Sequence, residues 1–154
     1  MSVESRLAEI GLTLPEIATP VAAYVPAVRS GNLIFLSGQL PMVNGELPQT
    51  GKVGGTVTPD EAHELAKICA LNGIAAVKGL IGDLEKVVRI VKVTGFVASV
   101  PDFVSAPVVV NGASNVLLQA FGDKGVHARS SLGVAALPLD APVEVELIVE
   151  VTDQ

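Results

Sequence analysis

The chain has 154 residues and a formal net charge of -6, and its hydrophobic residues, at 49%, are mostly aliphatic because aromatic residues make up only 3%. Charged residues make up 17%, against about 25% in a typical domain. The composition excludes a disordered chain, and the length indicates one domain with its own core. Charged and turn residues interrupt the apolar stretches before the roughly 20 residues of a membrane span, so no membrane partner is expected.

The charge pattern limits the classes of partner that we expect, and the cysteine count indicates the cellular compartment. Ten Lys and Arg residues are scattered without a basic run, so no nucleic-acid partner is expected. The single cysteine, Cys69, cannot form an internal disulfide, which fits a reducing cytoplasm, and we expect it to be an inert thiol in the core. The aliphatic surplus favours a soluble protein that buries part of its surface against copies of itself.

The N-terminal region predicts a short helix that precedes the main domain. Residues 2–11 place apolar side chains at helical spacing and end at a glycine. Three charged residues among the first nine do not fit a secretory signal, and two prolines follow the helix. We therefore expect residues 1–20 to form a helix and linker extension, and residues 21–154 to form the domain.

Five segments rich in β-branched residues are predicted as strands. They span residues 24–29, 33–37, 87–98, 128–137 and 143–151. The last of them alternates apolar residues with glutamates, which indicates a strand with one buried face. The last two strands are expected to form a hairpin. Residues 41–56, rich in Gly and Pro, are expected to form a long surface loop.

Two helices are predicted between the strands. The first begins at Thr58, where Glu61 completes a capping box, and it ends at Gly82. The second helical region opens at Pro101 and ends at Gly122. The order strand, strand, helix, strand, helix, strand, strand predicts an α+β fold whose helices cover one face of a sheet.

Motif searches for cofactor and metal chemistry find little. Residues 45–52 approach a phosphate-binding loop but have the wrong spacing. The histidines, His63 and His127, lie far apart and have no cysteine at metal-ligand spacing, so no metal is expected. We expect His63 to be a surface residue of the first long helix, and His127 to lie in a solvated loop, with the rim of a pocket as the alternative.

Three stretches resemble the RidA family, also called the YjgF-like or L-PSP family. They are AYVPAVRSGNLIFLSGQLP at residues 23–41, ARSSLGVAALP at 128–138 and VEVE at 143–146. The resemblance implies a chorismate-mutase-like α+β fold, a mixed sheet with two helices on one face, and a homotrimer with sites between subunits. It also implies hydrolysis of reactive 2-imino or 2-enamino acids to 2-oxo acids and ammonia without a cofactor. Some relatives carry a ribonuclease label, and others lack deaminase activity.

The resemblance assigns two candidate catalytic residues. Arg129 stands at the position of the family's carboxylate-binding arginine, and a guanidinium can hold a carboxylate by two parallel hydrogen bonds. Its alternative is an ordinary ion pair at the end of a strand. Glu144 matches the family's acidic residue, which would position or activate water. Its alternative is a solvated strand face.

Further positions match substrate-binding residues of the family. They are Tyr24, Ser37, Gly38, Gln39, Asn111 and Ser131. Ser131 differs from the cysteine that many members have there, which leaves the substrate preference open. Phe96 and Ile34 are weaker candidates for apolar walls of the pocket.

The predicted hairpin has a consequence for the site. With Arg129 opposite roughly residue 150, it would lie on the order of 20 Å from Glu144 within one chain. A pocket that uses both residues must then combine two subunits. Deaminase activity is the first hypothesis, a non-catalytic trimeric protein that binds small carboxylates such as 2-oxo acids is the second, and an endoribonuclease is the least favoured.

Overall fold

A computed structural model describes residues 1–17 and 23–153. Its helices and strands occur along the chain in the predicted order. The helices are α1 (Val3–Glu9), α2 (Pro59–Ile81) and α3 (Ala106–Phe121), and the strands are β1 (Ala27–Ser30), β2 (Leu33–Leu36), β3 (Val87–Ala98), β4 (Ala128–Val134) and β5 (Val143–Val151). Short 3-10 turns lie at Leu84–Lys86, Gly122–Gly125 and Pro138–Asp140. Residues 18–20 of the predicted linker lie outside the described residues, and the boundary at residue 20 stays a prediction.

The strands form one five-stranded mixed sheet in the order β1-β2-β5-β3-β4. The predicted hairpin of the last two strands is wrong, because β4 pairs parallel with β3 and β5 inserts between β2 and β3. The residues explain this placement. The inward face of β5 is entirely apolar and buried, which suits a central strand. By contrast, β4 presents Arg129, Ser131 and Gly133 inward and takes the edge.

Helix α2 begins as its sequence predicts. The side chain of Thr58 accepts a hydrogen bond from the Glu61 amide at 3.1 Å, and the Glu61 carboxylate accepts one from the Thr58 amide at 3.0 Å. The start of α3 is predicted wrongly, because Pro101 and Asp102 form a turn and the helix begins five residues later at Ala106. Pro107, in its first turn, fits the start of a helix better.

Helices α2 and α3 cover one face of the sheet. The Cα of Gly112 in α3 lies against the backbone carbonyl of His63 in α2, so a methyl group has no room between the two helices. Gly95 in β3 likewise lets Val110 of α3 sit directly on the sheet. Helix α1 joins the same core through Val3 and Leu7, which are buried.

No helix of the described residues packs on the opposite face of the sheet, which we call the open face. Its side chains come from alternate strand positions, which face away from α2 and α3. Val28 on β1, Phe35 on β2 and Leu132 on β4 remain 52%, 40% and 39% exposed there. The aliphatic surplus of the sequence therefore lies partly on an uncovered sheet face. None of the helices in the described part of the chain has the length and apolar composition needed to cross a membrane.

Candidate active site

Arg129 is held from one end of its guanidinium. It lies on β4 and pairs with Val93 of β3 on the helix side of the sheet. Its Nη1 donates to Asn111 Oδ1 at 2.7 Å and to Ser114 Oγ at 3.2 Å, and both acceptors lie on α3. Asn111 and Ser114 are three residues apart, which places them on one helical face.

The other edge of this guanidinium is open. Nη1 carries two hydrogens, and the two bonds to α3 use both of them. Within residues 1–17 and 23–153, no hydrogen bond or ion pair engages Nη2 or Nε of Arg129. These two nitrogens form the side of the guanidinium that matches the two oxygens of a carboxylate. The alternative of an ordinary ion pair is not found among the described residues.

Ser114 connects Arg129 to His127. The Ser114 hydroxyl lies 2.8 Å from His127 Nε2, and His127 Nδ1 lies 2.6 Å from the carbonyl oxygen of Gly125. Ser114 is 7% exposed, and His127 is partly buried. The expectation of a solvated loop for His127 is therefore wrong, because both ring nitrogens are engaged inside the fold. We call Asn111, Ser114, His127 and Arg129 the arginine cluster.

A second group of candidate residues lies at the end of β2. Gly38 lies directly against the Glu144 carboxylate, and a methyl group on Gly38 would collide with it. Ser37 Oγ donates to the Val25 carbonyl at 2.6 Å, which fixes the turn before Gly38. Tyr24, which directly precedes Val25, is 59% exposed.

Gln39 continues this group. Its backbone pairs with Val145 of β5, and its side chain donates back to the Ser37 carbonyl at 3.1 Å. This pairing keeps the turn after β2 beside the start of β5. We call Ser37, Gly38, Gln39 and Glu144 the glutamate cluster.

Partial burial changes the acid–base properties of Glu144. Removal from water raises the pKa of this carboxyl group, and the neighbouring charge of Glu146 raises it further. Glu146 lies two residues along β5, so both carboxylates point to the open face. Glu144 therefore holds a proton to a higher pH than an isolated glutamate does.

Arg129 and Glu144 lie on opposite faces of the sheet. Arg129 pairs with Val93 and Glu144 with Phe96 on β3, which puts their Cα atoms about 14 Å apart at ~3.3 Å per residue and ~4.8 Å per strand. The 20 Å separation expected from the hairpin is therefore too long. The two side chains still cannot meet within one chain, because the sheet itself lies between them.

The remaining candidates have different environments. Ser131 lies on the same side of β4 as Arg129, and its hydroxyl is buried without a hydrogen-bond partner among the described residues. Phe96 is partly buried beside Glu144 on the open face. Ile34 is fully buried in the core, so the expectation that it lines an open pocket is wrong.

The sequence interpretation missed Ser114 and undervalued His127. Two spacings could have identified them. His127 precedes Arg129 by two residues, which places both on one face of an extended segment, and Ser114 follows Asn111 by three residues on a helix. Neither spacing shows that the two segments meet, because only the tertiary structure places β4 beside α3.

Other reactive groups take structural roles. Lys52, in the segment that approaches a phosphate loop, pairs with Asp140 at 2.7 Å. Cys69 is buried, and burial raises the pKa of its thiol, as expected for an inert core residue. The described ranges contain no group of three or more His, Cys, Asp or Glu side chains arranged to hold a metal ion.

Comparison with known proteins agrees with this architecture. A family model described as "YjgF/chorismate mutase-like, putative endoribonuclease" matches residues 4–151. The chain is 40% identical over 152 residues to Protein TCP17 of Trypanosoma cruzi, covering 98% of this chain and 95% of that protein. It is 34% identical over 131 residues to the 2-iminobutanoate/2-iminopropanoate deaminase of Escherichia coli K12, covering 83% and 87% of the two chains. The solved structure of Atu1372 from Agrobacterium tumefaciens matches with a TM-score of 0.91 and 48% identity, over 97% and 92%.

These matches extend across the strands, the two long helices and both residue clusters. They agree with the mixed sheet that the resemblance implies and identify its architecture as the YjgF chorismate-mutase-like fold. The chain therefore belongs to the RidA family of YjgF/chorismate-mutase-like proteins.

Proposed function

We propose that the protein hydrolyses reactive 2-imino and 2-enamino acids to 2-oxo acids and ammonia in clefts between copies of the chain. The observation that carries this proposal is the guanidinium of Arg129, anchored through Nη1 and open along Nη2 and Nε. Such an edge holds one carboxylate in a fixed orientation. The substrate class is an acid whose reactive carbon lies next to that carboxylate.

Arg129 would place the imine carbon for attack by water. A carboxylate bound at two points cannot swing, so the adjacent C=N carbon takes a defined position. Asn111 and Ser114 fix the donor before substrate arrives, which lowers the ordering cost of binding. Tyr24, Ser37, Gly38, Gln39 and Ser131 are proposed to line the rest of the pocket.

Glu144 would move the protons of the reaction. Water adds its oxygen to the imine carbon, the nitrogen gains a proton, and the resulting amino alcohol collapses to a 2-oxo acid and ammonia. One carboxyl group can accept the proton of water and return it to nitrogen. Burial and the charge of Glu146 raise the pKa of Glu144, which increases the share of its protonated form near neutral pH and suits a group that both accepts and donates a proton.

Two copies of the chain would complete one site. Arg129 lies on the helix side of the edge strand and Glu144 on the open face, so a neighbouring copy would be needed to bring them into one site. Exposed Val28, Phe35 and Leu132 give the open face apolar area to bury. We propose a homotrimer whose open faces meet at its centre, and a cytoplasmic location that suits the single buried thiol.

A non-catalytic protein that binds small carboxylates is the second candidate. The observation that favours it is the completeness of the arginine cluster within one chain, because binding alone needs no glutamate from a neighbour. An endoribonuclease has less support. A net charge of -6 with no basic run gives little grip on phosphates.

The test is the release of 2-oxo acid and ammonia from freshly generated 2-imino acid, measured above the spontaneous rate. We expect Arg129→Lys to lose at least about tenfold in kcat/KM, because lysine cannot form the two parallel bonds. Arg89→Lys on the adjacent strand is the matched control, with unchanged kinetics. Equal rates for Arg129→Lys and the unaltered protein would remove Arg129 from the mechanism.

Glu144→Gln separates the two candidate functions. For a deaminase, this variant still binds a 2-oxo acid but loses the acceleration over the spontaneous rate. For a binding protein, the unaltered chain itself binds 2-oxo acids and gives no acceleration. That second result would overturn the deaminase proposal.

A further inference from the structure

When the His127 ring is neutral, one assignment of donors and acceptors fits the hydrogen bonds that join His127, Ser114 and Arg129. The Gly125 carbonyl can only accept, so the ring hydrogen of His127 lies on Nδ1. Nε2 is then an acceptor, and the Ser114 hydroxyl donates its hydrogen to it. The lone pairs of Ser114 are left to accept from Arg129 Nη1.

We propose that His127 and Ser114 are positioning residues for Arg129. His127 orients the Ser114 hydroxyl, and the oriented hydroxyl fixes Nη1, so that the Nη2 and Nε edge faces the carboxylate of a substrate. This inference rests on the role proposed above for Arg129, but neither His127 nor Ser114 touches the substrate. The mechanism described above uses Ser114 only as an anchor and does not use His127.

The environment of Ser114 supports an orienting role. Ser114 is the one polar or charged side chain among the buried described residues, and together with Asn111 it accepts the hydrogen bonds that Arg129 donates to α3. A buried hydroxyl without both partners would be costly, so its two bonds are kept. The arginine side chain has several rotatable bonds, and prior anchoring reduces the freedom that substrate binding must remove.

A purely structural role would give a different result. In that case the bonds would only tie β4 to α3, and their loss would lower stability without a specific effect on anion affinity. In a positioning role, His127 acts on Arg129 only through Ser114. Removing either one then disturbs the same hydrogen bond to Nη1, so the second removal adds little.

The first experiment measures binding of 2-oxobutyrate by titration calorimetry to Ser114→Ala, His127→Phe and the double variant. We expect each single variant to bind about tenfold more weakly, as for loss of one hydrogen bond to a charged group. The double variant should bind no more weakly than either single variant. His127→Gln, which keeps an acceptor for Ser114, should recover most of the affinity, and His63→Gln is the matched control without an effect. The proposal would be overturned if the two losses of affinity multiplied in the double variant, or if Ser114→Ala bound 2-oxobutyrate as tightly as the unaltered protein.

The second experiment follows the Arg129 guanidinium itself by ¹⁵N NMR, with its signals assigned from the spectrum of Arg129→Lys. Slow rotation about the bond to Nη1 is expected in the unaltered protein and faster rotation in Ser114→Ala and His127→Phe. Equal rotation in all three proteins would overturn the positioning role. Restricted rotation without any 2-oxo acid binding would instead leave the positioning role standing and refute the proposed function.

Discussion

Gly112 lies within α3, where its Cα packs against the backbone carbonyl of His63 in α2. Replacement of Gly112 by alanine would place a Cβ far inside the 3.4 Å at which ordinary contact begins. The carbonyl belongs to the backbone of a long helix, so it cannot rotate away as a side chain can. The two helices must therefore separate, and α3 carries Asn111 and Ser114 with it.

The size of the effect follows from two opposing contributions. Alanine is favoured over glycine inside a helix by about 1 kcal/mol. Overpacking a core typically costs about 1–3 kcal/mol, and the rigid carbonyl puts this site at the upper end. The expected net loss in the free energy of unfolding is therefore about 2 kcal/mol, or roughly 4–8 °C in Tm for a domain of this size.

Thermal and urea unfolding of Gly112→Ala would measure this loss. Gly79→Ala in α2 is the matched control, because there the new methyl group meets only the end of the Ile17 side chain, which can move. We expect the control to be as stable as the unaltered protein or slightly more stable. Displacement of Asn111 should also weaken 2-oxo acid binding in Gly112→Ala. A stability equal to or above that of the unaltered protein would refute the steric reasoning.

Three further predictions concern single side chains. Glu144→Gln should raise Tm at pH 8 and leave it nearly unchanged at pH 4. The pKa of Glu144 is raised in the folded protein, so its ionisation destabilises the fold only above the unfolded pKa of about 4.3. Glu150→Gln is the control, and a larger gain in Tm at pH 4 than at pH 8 would contradict the reasoning. Thr58→Ala should lose about 1 kcal/mol in urea unfolding through the broken capping box, and no loss would exclude a capping contribution. Ser131→Ala should be neutral or stabilising by up to about 1 kcal/mol, because the buried hydroxyl has no partner among the described residues, whereas a clear loss in thermal melts would indicate a hydrogen bond there.

Short sequence patterns predicted those helices and strands whose ends depend on residues near them in the sequence. The capping box at Thr58 located the start of α2, and the alternation of β5 identified its buried face. The start of α3 was misplaced, because Pro101 suits a turn as well as a helix start, and the choice depends on residues that follow. The first strand was predicted three residues too early, since Tyr24 lies outside β1.

Pairing of the strands depended on the whole fold. Adjacency in sequence favoured a hairpin for the last two strands, but β4 returns beside β3 because α3 forms the crossover between them. Strand β5, whose inward residues are all apolar, lies in the centre of the sheet, and β4, which carries Arg129, lies at its edge. A sequence pattern ranks strands by how much burial they need, and it does not say which neighbour provides that burial.

The candidate site divides in the same way. The family resemblance in the sequence assigned Arg129 and Glu144 as the candidate catalytic residues, and their side chains, a guanidinium and a carboxyl group, define what each could bind or protonate. Only the tertiary structure decided that these two lie on opposite faces of one sheet and that Ser114 and His127 stand behind the arginine. The physical reason is that side chains alternate between the two faces of a strand, so the partner of each depends on which element packs on that face.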